Sequence, residues 1–175
     1  MVFTMVKDQD EYIVKEKERT IFKVTFRNEG KLLEATLHNA YGDDVISAFQ
    51  IKRWYSGIRP QICNDLNLYE GDEKLGELHK KREYIEIKYH DVFYRLYSGM
   101  HAGKRTLICF DRSKQIAEFV LEDTCTLRFT NGTLGALFSL VMAFIKEALP
   151  QDKFSQEAFL HHYIGVYRDE SLVAA

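Results

Sequence analysis

Two prolines in 175 residues leave no proline-rich linker and no low-complexity tract to divide the chain. Cysteine is as sparse: Cys63, Cys109 and Cys125 are widely spaced and form no C-x-x-C pair, which excludes a zinc ribbon and a thioredoxin-type redox motif. Three buried, reduced thiols in a cytoplasmic protein are expected instead. An excess of one charge is missing too. The formal charge of −2 gives no global basic surplus of the kind nucleic-acid binders carry, so no nucleic-acid partner is expected. The opening residues, Met1 to Asp8, lack a basic start and reach an acidic residue too soon for a signal peptide. They read as a cytoplasmic start that can itself form a short strand.

Catalytic signatures are also lacking. There is no G-x-S-x-G elbow, no Cys-His signature, no G-x-G-x-x-G and no Walker loop. Asn131-Gly132-Thr133-Leu134-Gly135 opens a helix without any of those patterns. Histidines stand at 38, 79, 90, 101, 161 and 162, but none belongs to an H-E-x-x-H pair, and the adjacent His161 and His162 point in different directions on a helix. The expectation is no metal, no cofactor and no enzyme.

What is present is aromatic and extended. Twelve Phe and ten Tyr favour strands. Apolar–polar alternation recurs in short runs: 12–17, 20–27, 31–38, 45–53, 61–69, 74–80, 84–89, 92–97, 105–110, 115–121 and 125–130. That is about eleven strands, separated by turn signals at the spacing of a sandwich or barrel. A further strand is expected over Tyr163–Arg168, after a short helix over Gln156–His162. One stretch echoes another: Leu66 to Leu78 and Leu107 to Phe119 both read as strand, polar turn, aliphatic, small residue, Glu, apolar. A hairpin repeated with its apolar face one way is how a meander closes into a barrel.

The one long apolar run is Leu134–Leu149, capped by Asn131 or Thr133 and stopped by Pro150. Leu134 to Ile145 carry no charge on any face, so the helix must be buried all round. A membrane span needs about 20 apolar residues. Lys146 and Glu147 end this run earlier, and the stripe Gly135, Ser139, Ala143 serves close packing in a core. No transmembrane span is expected.

With these motifs, Leu75-Gly76-Glu77, Ile116-Ala117-Glu118 and the helix Leu134–Leu149, the chain resembles the tubby C-terminal-like fold, including its LURP-one-related and phospholipid-scramblase-like branches, and is similar to its bacterial members. The resemblance covers about Tyr12 to Leu149. It implies a mainly β, closed antiparallel barrel of about twelve strands around one central hydrophobic helix, a helix that also meets a large barrel's need for a filler. In tubby itself that helix ends the chain, whereas here residues 150–175 extend past it. Residues 1–175 are therefore read as one domain with a C-terminal extension. The resemblance also implies a lipid-linked or scaffold role, since tubby proteins bind phosphoinositide headgroups through basic side chains.

Two clusters are candidate sites. Lys80, Lys81 and Arg82, with Lys104 and Arg105 one hairpin on, suit an anionic lipid headgroup. A solvated turn that discourages edge pairing is the alternative, and Glu77, Glu83 and Glu86 dilute the field. Lys52, Arg53 and Trp54, with Arg59, place the only Trp beside cations, suiting a membrane interface or a partner pocket. Packing of that Trp at a barrel end with snorkelling neighbours is the alternative. The expected function is a non-enzymatic binding module in the cytoplasm or peripheral at a membrane. Its partner is anionic lipid or, alternatively, a protein held by a scaffold or a small hydrophobic ligand inside the barrel.

Overall fold

Alternation with period two puts every second side chain of a strand on one face, and the burial of β-strands such as Val2–Asp8, Glu11–Glu16 and Thr124–Phe129 follows it. The computed structural model describes residues 1–29, 32–55, 59–149 and 155–165, with the side chains at 29, 52–55, 59–64 and 164–165 outside that description. The strands are β1 (Val2–Asp8), β2 (Glu11–Glu16), β3 (Arg19–Glu29), β4 (Leu32–Asn39), β5 (Asp44–Tyr55) and β6 (Arg59–Glu70). They continue with β7 (Glu73–Lys80), β8 (Ile85–Tyr89), β9 (Val92–His101), β10 (Lys104–Asp111), β11 (Lys114–Leu121) and β12 (Thr124–Phe129). Each pairs antiparallel with its sequence neighbours, and β1 pairs with β12 from Val2 opposite Arg128 to Val6 opposite Thr124. The twelve strands thus form a closed barrel.

The inward set, including Met5, Val14, Leu37, Leu68, Leu78, Leu96, Leu107, Phe119 and Leu127, is fully buried. It meets a helix. Asn131 Oδ1 accepts from the Thr133 amide at 3.0 Å, a single turn of 3-10 helix spans Gly132–Leu134, and α1 follows over Gly135–Ala148. Leu137, Phe138, Leu140, Val141, Phe144 and Ile145 of α1 are all at 0 % exposure. Ser139 shares that interior, and its hydroxyl donates to Gly135 O at 2.7 Å, so no polar group is stranded there. Gly135 must stay small: a Cβ there would meet the Phe3 ring at 2.8 Å. The apolar helix is the filler of the barrel, as the sequence indicated.

The echoed hairpins are structurally alike. Leu68 faces Gly76 and Tyr69 faces Lys74, with a register shift after Leu68; Cys109 faces Ala117 and Phe110 faces Gln115, with a shift after Cys109. Their first turn residues, Gly71 and Arg112, both take φ near +55° to +57°.

Three details depart from the sequence reading. The strand that completes the barrel is β1 at the N-terminus, while Tyr163, expected to open a late strand, lies in the helix α2 (Gln156–Gly165). Residues 166–168 of that expected strand lie outside the described residues. Second, β9 does not stop at Tyr97 but runs to His101, through Gly99. Third, Arg59 and Pro60, which fall between the expected strands 45–53 and 61–69, belong to β6, with Pro60 opposite Trp54.

Candidate functional site

Strand direction sorts the turns into two ends. β1 runs toward the β1–β2 turn, so that turn shares an end with the β3–β4, β5–β6, β7–β8, β9–β10 and β11–β12 connections. The C-terminus of α1 points to this same mouth. Lys7 Nζ and the Tyr12 hydroxyl, on the first two strands, both donate to Glu147 Oε2, at 3.0 and 2.7 Å. Burial pulls the Glu147 carboxyl upward, but those two donors outweigh it and hold it below its ordinary value. Burial, with the carboxylate alongside, pushes the Tyr12 phenol well up. Next to it around the ring, Lys146 Nζ donates to the carbonyls of Glu122 and Asp123 in the β11–β12 turn.

The sequence-predicted cations all come to this mouth, but with different fates. Lys81 and Arg82 sit exposed in the β7–β8 turn and have no ion-pair partner among the described residues. Lys80 is half-buried at the end of β7, its amide donating to Asp65 Oδ1 at 3.2 Å. Lys104 is exposed and pairs with Glu122 at 3.2 Å. Arg105 turns inward: Nη1 donates to Leu149 O at 3.0 Å and Nε to Ser98 Oγ at 3.4 Å. A cation at the end of α1 satisfies a carbonyl that the helix cannot. Lys52, Arg53 and Trp54 lie toward the end of β5 and Arg59 begins β6, next around the same mouth, while their side chains lie outside the described residues.

The carboxylates expected to dilute the cluster lie mostly below it. Glu77 accepts from Lys74 and, at 2.7 Å, from His79 Nε2, and these bonds bring its carboxyl down to about 2. The other nitrogen of His79, Nδ1, is 3.2 Å from Asp65 Oδ2. Glu86 lies beside His79 on β8 and opposite Arg95 on β9. Only Glu83 shares the turn itself.

Around the ring of strands, the β1–β2 turn is diametrically opposite the β7–β8 turn. The first carries Asp8, Asp10 and Glu11, which line a cleft of about 410 Å³. The mouth is therefore polarised, acidic at one side and basic at the other. A larger cleft of about 610 Å³ opens at the far end beside Asp91, Phe93 and Asp111, and one of about 180 Å³ beside Leu33 and Phe49. None of these three clefts is lined by α1. Among the described residues, no helix is long and apolar enough to cross a membrane. The free thiols of Cys109 and Cys125 are buried, and Cys63 has its side chain outside the described residues. The chain matches no protein-family model, no curated protein and no solved structure.

Two features of the site escaped the sequence reading. The inward turn of Arg105 follows from parity: it shares the face of Leu107 and Cys109, whereas Lys104 shares that of Thr106 and Ile108. The long-range tie of Glu147 to Lys7 and Tyr12 carries no local signal, because it joins residues 140 and 135 positions apart in the chain.

Proposed function

We propose that this chain is a tubby-like barrel that works as a non-enzymatic binding module in the cytoplasm, engaging anionic lipid headgroups at a membrane surface through the basic side of its mouth. The supporting observation is the placement of Lys81 and Arg82: exposed, without an ion-pair partner among the described residues, and across the mouth from Asp8, Asp10 and Glu11. Lys80 and Lys104 flank them on the same rim, and the strand positions of Lys52, Arg53 and Arg59 continue it. The helix-filled barrel supports the tubby-like part of the proposal. With a formal charge of −2, attraction to an anionic leaflet has to come from this local asymmetry rather than from net charge.

Co-sedimentation with vesicles tests it. The wild-type chain is expected to pellet with vesicles containing anionic lipid and not with neutral ones at low salt. Each near-surface cation is worth about 1 kcal/mol, so Lys81→Ala with Arg82→Ala should weaken binding by roughly tenfold or more. Lys17→Ala with Arg19→Ala, at the opposite end, should leave it unchanged. Equal partition of the wild type onto anionic and neutral vesicles would sink the proposal.

A further inference from the structure

A second apolar cluster lies outside the barrel, and it seals a strand edge. Ile85, the first residue of β8, pairs with Leu96, whereas β9 continues to His101. Over Tyr97–His101, β9 therefore has no strand neighbour on its β8 side among the described residues. Such a row of backbone groups is a template for pairing with another chain.

Helix α2 covers that row. Gln156 Oε1 accepts from the Met100 amide at 2.7 Å, and Gln156 Nε2 donates to Met100 O at 3.0 Å. A side-chain carboxamide thus stands where a neighbouring strand's peptide group would be. Gly99 lies under the Phe159 ring, and a Cβ on it would come within 2.4 Å of two ring carbons. Phe159 is fully buried against Tyr97, Ile108 and Phe110, and the His162 ring stacks on Tyr97 at 3.7 Å.

The cover is slight. Gln156, Glu157, Leu160 and His161 are exposed, and Phe159 is the one fully buried side chain described in α2. The hydrogen bonds between Gln156 and Met100 are exposed as well. Elements with few buried contacts and solvent-exposed hydrogen bonds open at low free energy, well before the core.

We infer that α2 is a releasable cover, and that the β9 edge beneath it accepts the same edge of a second copy of this chain. The edge is self-complementary about Gly99. Set antiparallel, two copies bring Gly99 opposite Gly99, with no side chains to collide, and Tyr97 opposite His101. Met100 then exchanges with Ser98 of the other copy the peptide hydrogen bonds it now makes to Gln156. An isologous contact of this kind closes at two copies and does not propagate.

Sedimentation velocity across a concentration series tests the inference. Wild type is expected to remain monomeric, and Gln156→Ala with Phe159→Ala to form a dimer that strengthens with concentration. Adding Met100→Pro should restore the monomer, because proline removes the edge N–H while the ladder to β10 keeps its donors. A freed variant that keeps the wild-type circular dichroism yet stays monomeric overturns the inference, as does a dimer indifferent to Met100→Pro. If the freed variant does not fold, hydrogen exchange on the wild type decides. The Met100 and Phe159 amides should exchange together, at least about tenfold faster than the Ile108 amide in β10. Exchange of Met100 no faster than Ile108 means that α2 does not open, and the inference fails.

Discussion

At Gly76 the backbone of β7 passes so close to β8 that a Cβ would lie 1.9 Å from Lys88 O and 2.8 Å from its carbonyl carbon. Backbone cannot rotate away as a side chain can. Gly76→Ala should therefore destabilise the barrel by about 1–3 kcal/mol or more, the range for overpacking a well-packed site. Thermal melting checks this, with a drop of several degrees expected for a chain of this length; an unchanged midpoint would mean that the strands are not so close. The same position in the echoed hairpin is Ala117, fully buried with its methyl accommodated. The echo thus reveals two hairpins of one shape, while the choice of Gly over Ala depends on a neighbouring strand that the local sequence does not contain. Arg105 teaches the complementary lesson. Its basic neighbour suggests a surface pair, but its parity with Leu107 and Cys109 sends it inward to the end of α1.

Among the elements, α1 was the most legible because an uncharged helical run permits few environments. Phe138 stands edge-on to Phe119 and Phe129, with ring centroids 5.1 and 5.6 Å away. Phe138→Ala should cost about 3–5 kcal/mol, a large part of a total of about 5–15. A chemical denaturation curve should show the midpoint fall accordingly; a variant with wild-type stability would mean that the helix is not the core. The strands of the meander were legible from alternation and their closure into a barrel was expected, but the pair of strands that closes it was not legible. Which two strands meet depends on how many lie between them, so β1 read as a strand without revealing β12 as its partner. The end of β9 was hidden for a different reason. Ser98-Gly99-Met100 looks like the approach to a turn, and only the packing of Phe159 on Gly99 explains a glycine inside a strand. Tyr163 was drawn toward a strand by its neighbours, whereas its ring packs beside Phe159, centroid to centroid 5.4 Å, on the helical face of α2.

Over the whole molecule, closure removes the open edges that an antiparallel meander otherwise leaves, except where β9 outruns β8, and the proposed binding site lies on a rim. One rim carries Lys80, Lys81, Arg82 and Lys104 on one side and Asp8, Asp10 and Glu11 on the other. Under the proposed function, that asymmetry is what would orient the barrel toward a negative surface, since the chain as a whole is slightly acidic. The sequence marked the cations as clusters; the common end follows from strand direction, which no single cluster carries. Amide chemical shifts recorded with anionic-lipid nanodiscs, against neutral ones, test the site most directly. Perturbations are expected at residues 80–84 and 102–105 and not in the opposite turns at 71–72, 90–91 and 112–113. Perturbations confined to those opposite turns, or shifts identical for anionic and neutral nanodiscs, would contradict lipid binding at this mouth.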